Sequence, residues 1–510
     1  MKKILLSGAA VFALFCVASC DTDFDTDVNS IAVTSGEADF SNYVALGNSL
    51  TSGYRDNALY IDGQVESYPN ILAQQMNRAS GGEFKQPLMA DNNGGLLLGG
   101  TAIAATKLYI KSFANGSPVL ANVEAAPTTD IMTKVTGKLN NMGVPGAKSF
   151  HLIAPGYGNV AGVAAGKANP YYVRFATSAT STVLGDAIAQ KPTFYSLWIG
   201  NNDVLSYATS GGMGVDRTGN TDPTTYGGND ISDPNVVAGA IQTVLESMKN
   251  AGATKGVIAN IPYVTSIPYF TTVPYNPVSP TALGDKIGAL NESVYGPLKQ
   301  VLTAYGQGDR LNLLSATAAN PVLIKDESLT NYGAQITAAL TPKIGLAAAT
   351  LYGQLYGQAR QTTAEDYVLL TTSSVIGTET TSAPAPLNVY GISYPLQNQH
   401  VLTKTEAANV KTAVDAYNAK IKALAATYKL AFVDANAKMV ELNKSSGIQF
   451  DGVKYTAKFV TGGTFSLDGV HLTGRGYAVV ANEFIQAINK QYKSTLPVVN
   501  VNNYSGVKFP

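Results

Sequence analysis

Pro192-Thr193-Phe194-Tyr195-Ser196-Leu197-Trp198-Ile199 is an apolar run of strand length, and it stops at Gly200-Asn201-Asn202-Asp203. The run reads as a strand closed by a turn. Asp233-Pro234 then opens a helix, with Asp at the N-cap and Pro at the first helical position. Val237, Ile241, Val244, Leu245 and Met248 fall on one apolar face, and Gly252 marks its end. Gly256-Val257-Ile258-Ala259-Asn260-Ile261 follows directly as the next strand.

The same rhythm extends in both directions. Upstream, Tyr43-Val44-Ala45-Leu46 is a short apolar run that ends at Gly47. Downstream, the spacing predicts a long helix from about Lys404 to Tyr428, with Val410, Ala413, Val414, Tyr417, Ile421 and Leu424 on its buried stripe. It feeds a strand at Leu430-Ala431-Phe432-Val433, and a last helix follows Thr473 through Val479, Ala481, Phe484, Ile485 and Ile488. Alternating strands and helices predict an α/β fold, a parallel sheet with helices on both faces. Ligands in such folds collect outside the carboxyl ends of the strands.

From about 263 to 402 the rhythm breaks. Pro268, Pro274, Pro277 and Pro280 punctuate it, with helical pieces near 283–302 and 334–359. Its apolar pieces are short and scattered, which reads as a large insertion beside the site in preference to a separately folding domain. Its Ala, Leu, Tyr and Pro content suits a lid that forms an apolar acyl pocket. The same tyrosines could stack on sugar rings.

Composition sets limits on function. Of 510 residues, 35 are Lys or Arg and 35 are Asp or Glu, so no broad basic field exists to hold nucleic acid. Hydrophobic residues at 45% exclude disorder throughout. Both cysteines lie within the first twenty residues, at Cys16 and Cys20, so the body carries no disulfide framework and no Cys-based metal site.

The front of the chain carries an address. Lys2 and Lys3 precede the apolar stretch Ile4 to Val17, which is too short for a comfortable membrane span. Val17-Ala18-Ser19-Cys20 resembles a bacterial lipobox, which implies a signal peptide over 1–19 and lipid on Cys20. The acidic alternation Asp21-Thr22-Asp23-Phe24-Asp25-Thr26-Asp27 opens a solvated tether over 20–40. It fails as a calcium loop, because Val28 stands where the turn needs Gly. The expectation is a cell-envelope protein anchored through lipid, in the outer membrane, with a hydrolase domain over 41–495 and a C-terminal tail over 496–510.

Four short stretches carry candidate chemistry. Gly47-Asn48-Ser49-Leu50 places a hydroxyl in the turn after the first strand. Asp468-Gly469-Val470-His471 brings an acid and an imidazole within one turn, so the carboxylate can hold Nδ1–H and leave Nε2 as a base. Asn141-Met142-Gly143-Val144-Pro145-Gly146 is a tight turn able to present a backbone N–H. Gly200-Asn201-Asn202-Asp203 offers a side-chain amide. A tetrahedral oxyanion needs N–H donors of these two kinds.

In this order the four stretches resemble the conserved blocks of the SGNH (GDSL-type) hydrolases. The resemblance spans 43 to about 490, and only the blocks are specific. It implies a three-layer α/β/α sandwich with a flavodoxin-like parallel sheet. It also implies Ser49 as nucleophile, His471 as base and Asp468 as the residue that orients it. The Ser49 and Gly146 N–H groups and the Asn202 amide take the oxyanion roles. One departure is visible: Asn48 replaces the family's Asp, which implies a change in how the turn is braced. A Gly-x-Ser-x-Gly elbow fails at Thr51.

The implied reaction is hydrolysis of carboxylic esters through an acyl-enzyme, of lipolytic or carboxylesterase type, with no cofactor and no metal. The alternatives are a carbohydrate O-acetyl esterase and a catalytically silent surface protein that binds glycan or lipid. His151 and His400 lack partners at ligand spacing and read as structural. Asp203 reads as a brace for its turn, and Arg475 and Gly476 as helix surface and packing.

Overall fold

The computed structural model describes residues 32–114 and 116–510. The leader, Cys20 and the acidic alternation lie outside the described residues. Among the described residues no helix is long and apolar enough to cross a membrane.

The central sheet consists of β1 (Tyr43–Gly47), β2 (Asn141–Gly143), β3 (Phe194–Trp198), β4 (Lys255–Ala259) and β5 (Ala431–Val433). Its order is β5-β4-β3-β1-β2, and every pairing is parallel. Read from the other edge this is the flavodoxin-like order, 2-1-3-4-5. Strands covered on both faces are largely apolar: every residue of β1 and β3 is buried, and the Ser196 hydroxyl of β3 is paired with the Tyr43 hydroxyl at 2.7 Å.

Eight helices frame the site: α1 (Ser49–Ser52), α2 (Tyr68–Asn77), α3 (Val183–Ala189), α4 (Asn202–Thr209), α5 (Pro234–Asn250), α6 (Lys404–Thr427), α7 (Ala435–Leu442) and α8 (Gly474–Tyr492). α2 and α8 pack together, with α8 against β5 and β4. α3, α5 and α6 form a second group, with α3 against β1 and α6 against β4 and β5. The result is an α/β/α sandwich with the sheet as its middle layer. The Asp233 side chain accepts from the Asn235 and Val236 N–H groups and starts α5 at Pro234. Thr403 and Glu406 close a reciprocal capping box on α6.

Two boundaries and the packing of the insertion differ from the sequence reading. Ala38 and Phe40 are buried in the main core, and the Glu37 N–H donates to the Tyr492 carbonyl, so packing begins before residue 41. The 496–510 segment is docked: Val501 is fully buried, and Asn482 exchanges two hydrogen bonds with the Val499 backbone. The insertion encloses a core of its own, with Leu298, Ile324, Ile336, Tyr356 and Leu396 among its buried residues. Its short apolar pieces converge in space although they are scattered along the chain.

Candidate active site

The crevice follows from the strand order. The order reverses between β1 and β3, and the segments after these two strands part there. After β1 the chain turns at once into α1. Asn48 caps this helix, its Oδ1 accepting from the Leu50 N–H at 3.0 Å, while its Nδ2 donates to Asn201 Oδ1 at 3.2 Å. An Asp could accept but not donate, so Asn48 joins the β1 and β3 turns in a way a carboxylate cannot. Ser49 is the first residue of α1, and its N–H has no protein acceptor among the described residues.

Ser49 Oγ lies 2.9 Å from His471 Nε2, and His471 Nδ1 lies 2.8 Å from Asp468 Oδ2. A carboxylate can only accept, so Nδ1 carries the proton and Nε2 accepts from the Ser49 hydroxyl. Besides the imidazole, Asp468 accepts from the backbone N–H groups of Val470, His471 and Asn57 and from Ser466 Oγ. Burial pushes its carboxyl up. The His471 imidazole beside it and these donors outweigh that and hold it well below the usual carboxylate range. Gly469 at φ +70° completes the turn, and a side chain there would press on Leu370 and the Tyr269 backbone of the insertion. The Tyr54 ring lies against the imidazole, with centroids 4.7 Å apart.

The loop after β2 supplies the second element. Val144-Pro145-Gly146-Ala147 closes with Ala147 N–H donating to the Val144 carbonyl, and Gly146 has φ +80°. Pro followed by a left-handed Gly defines a type II turn. Asn169 Nδ2 donates to the Pro145 carbonyl at 2.7 Å, which turns the opposite end of that peptide, the Gly146 N–H, the other way. Gly146 is exposed, and its N–H has no protein acceptor among the described residues.

Asn202, at the start of α4, ties this loop to β3. One proton of its amide goes to the Ala147 carbonyl at 2.9 Å, which leaves the other free for a ligand. Asp203 is fully buried and accepts from the Ser149 N–H at 2.7 Å and the Ser149 hydroxyl at 2.9 Å. It braces the two loops and does not reach the crevice.

Beside Ser49 and His471 opens an apolar cleft of about 950 Å³ including its mouth. Its walls are Met439 and Leu442 of α7, Val479, Val480 and Phe484 of α8, and Ile448. At the end along α8 away from His471, Lys438 pairs with Glu483 at 3.0 Å. From the insertion only its first residues, Val264 and Ile267, reach the cleft. The expected lid pocket is therefore built instead by the sheet domain, because the insertion buries its apolar side chains in its own core.

Sequence reading missed the residues that hold the machinery: Tyr54, the Asp56-Asn57 pair, Ser466, Asn169 and Asn201. Asp56-Asn57 is a turn signal in itself. His151 and His400 each use Nδ1 to accept a backbone N–H, from Lys148 and Gln397. Arg475 Nε donates to the Tyr504 carbonyl, and Gly476 packs against the Thr464 carbonyl. Among the described residues no group of three His, Cys, Asp or Glu side chains is placed to hold a metal ion.

No protein-family model and no curated protein sequence matches the chain. The solved structures that match include Axe2, an acetylxylan esterase from Geobacillus stearothermophilus. It is aligned over 89% of this chain and 96% of its own, at 10% identity and a TM-score of 0.31. A catalytic mutant of Axe2 aligns over 88% and 95%, at 10% identity and a TM-score of 0.32.

Proposed function

We propose that the protein is a serine hydrolase that cleaves carboxylic esters through an acyl-enzyme. The observation that carries this is the unbroken Asp468–His471–Ser49 hydrogen-bond chain at the carboxyl edge of the sheet. His471 Nε2 takes the hydroxyl proton as Ser49 Oγ attacks the ester carbonyl. The oxyanion is received by the Ser49 and Gly146 N–H groups and the free proton of the Asn202 amide. His471 returns the proton to the leaving alcohol, then activates water to release the acid. Asp468, ionised far into the acid range, holds the imidazole in its working tautomer throughout.

The cleft supports a lipolytic or carboxylesterase reading over removal of acetyl groups from glycans. An acetyl methyl would leave most of that apolar wall unused, whereas a longer acyl chain buries against it at roughly 0.8 kcal/mol per methylene. Hydrolysis of p-nitrophenyl acetate, butyrate, octanoate and palmitate tests this. The expected order has kcat/KM rising beyond acetate, and a maximum at acetate moves the reading to O-acetyl esterase. Fluorophosphonate labelling tests the nucleophile: labelling of wild type and none of Ser49→Ala is expected. Labelling undiminished in Ser49→Ala rejects the assignment. Binding of glycan or lipid without turnover would leave a silent binding protein.

On the strength of Lys2-Lys3, the apolar Ile4 to Val17 stretch and Cys20, we also propose a lipid anchor at Cys20 and a place in the cell envelope, at the outer membrane. Cys20→Ala should release the protein from the membrane fraction. Unchanged partitioning rejects the anchor.

A further inference from the structure

Arg174 follows the short helix Pro170–Val173, and the mechanism does not use it. It is 2% exposed. Nη2 donates to the Leu88 carbonyl, but Nε and Nη1 are buried with no protein acceptor among the described residues. No carboxylate offsets the charge: burial pushes the guanidinium down to about 10, and the opposing contribution comes from the Tyr171 phenol. A buried cation without a counter-charge is among the costlier arrangements a fold can hold.

The guanidinium lines a small cavity shared with Ser52, Leu59, Gln64, Asn141 and Tyr171. Apart from the Tyr171 phenol, which brings no charge, the polar side chains of the neighbours are already engaged. Ser52 Oγ donates to the Ser49 carbonyl, and Gln64 Nε2 donates to Pro87 while its Oε1 accepts from Met89 N–H. Asn141 donates to the Thr51 carbonyl and Gln86 Oε1, and its Oδ1 accepts from the Gly143 N–H. No side chain lining the cavity therefore brings a counter-charge to Arg174.

We infer that this cavity is a binding site for a small monovalent anion, chloride in ordinary solution. A water molecule could accept from Nε and Nη1 but would bring no charge. The cavity holds about 230 Å³ including its mouth, about a quarter of the cleft beside Ser49, and its close walls favour a monatomic anion over sulfate, phosphate or a carboxylate. The apolar side chains of Leu59 and Phe175 complete the wall and suit a weakly hydrated halide. Because Ser52 belongs to α1, a bound anion would sit directly beneath the helix that carries Ser49.

Thermal unfolding of the full chain in sodium gluconate, with chloride or bromide titrated in, tests the site. A saturable rise in Tm of about 1–3 °C is expected in wild type, and it is absent in Arg174→Met. Sulfate at matched ionic strength should not reproduce it. Should Arg174→Met fail to fold, bromide-soaked crystals of wild type decide: an anomalous peak within hydrogen-bond distance of the guanidinium supports the site. A Tm indifferent to halide, a rise equal to that with sulfate, or no such peak overturns it.

Discussion

The Asn57 N–H donates to Asp468 Oδ2 at 2.9 Å, joining residues 411 apart in sequence. Arg55 and Ala58 pair antiparallel around Asp56 and Asn57, which have φ +52° and +61°. Two successive positive φ values define a type I′ turn. The turn grips the loop of Asp468 and His471 at further points. The Asp56 N–H donates to Ser466 Oγ at 3.0 Å, and Asp56 Oδ1 accepts from the Leu467 N–H at 3.1 Å. A few residues beyond Ser49, the chain thus holds the carboxylate that orients the His471 imidazole.

Ser466 relays this grip, since its hydroxyl accepts from Asp56 and donates to Asp468 Oδ1 at 3.2 Å. Ser466→Ala removes one donor from the carboxylate and leaves the Asp56 N–H without its acceptor. A loss of about 1–2 kcal/mol in stability is expected. Because Ser466 acts through Asp468 and does not touch substrate, kcat should fall about 3–10-fold with KM unchanged. Steady-state kinetics on a p-nitrophenyl ester, with urea unfolding alongside, check both. A rise in KM alone would refute the positioning role.

Asn48 gives a second prediction. Asn48→Asp keeps the cap on Leu50 but turns the donor facing Asn201 Oδ1 into an acceptor, at a residue only 1% exposed. Two oxygens facing each other there should cost about 1–3 kcal/mol. Removing the Asn201 oxygen as well should recover part of it. A double-mutant cycle with Asn201→Ala, read by urea unfolding, should therefore show coupling. Additive effects would mean that the two turns are braced independently.

Much of the sheet was legible because buried parallel strands are largely apolar, and Phe194–Trp198 is so but for Ser196. β2 escaped because it has three residues, begins with Asn141 and lies at the sheet edge, where pairing with β1 makes it a strand. Ser49, Asp468 and His471, which the structure joins in one hydrogen-bond chain, were legible as motifs. Their supports were not: Asp56-Asn57 announces a turn, but nothing local says that its amide faces residue 468. The insertion core stayed hidden for the same reason, since Leu298, Ile324 and Leu396 meet only in three dimensions.

His151 predicts acid sensitivity. Its ring stacks on Tyr157 at 4.4 Å, and Nδ1 accepts from the Lys148 N–H at 3.0 Å. Burial, aided by the Lys148 charge, pushes it down to about 4. A folded value below the unfolded one, about 6.5, favours the neutral ring. Its contribution is therefore complete above that pH and lost as pH falls toward 4. Allowing for its partly exposed edge, up to about 2 kcal/mol is at stake. His151→Phe should flatten the urea midpoint between pH 6.5 and 4 relative to wild type, and equal slopes would exclude His151 as a source.

One buried cation braces the insertion where it meets α6. Arg360 bonds Asp326 through Nε and Asp366 through Nη1 and Nη2, each at 2.7 Å. Asp366 also accepts from the Lys404 N–H at the start of α6, at 3.0 Å. Arg360→Met leaves two buried carboxylates without their counter-ion, at a cost of about 3–5 kcal/mol. The loss should show as earlier proteolysis within 263–402 and a lower thermal midpoint. A midpoint equal to wild type would mean that the carboxylates find solvent.

Val480 tests whether the cleft sets acyl length. It lies on α8 between Gly476 and Glu483, partly exposed, so a larger side chain can enter the cleft without forcing the core apart. These two residues are separated by about 10 Å along the helix axis, so Val480 stands part of the way down the wall. Val480→Trp should block the far part of the cleft and spare the end near Ser49. Each methylene excluded from an apolar pocket costs about 1 kcal/mol or more of transition-state binding. The ratio of kcat/KM for octanoate over acetate should therefore fall at least about tenfold, with acetate itself little changed. Equal losses on both esters would place the acyl chain elsewhere and leave the apolar wall to the alcohol.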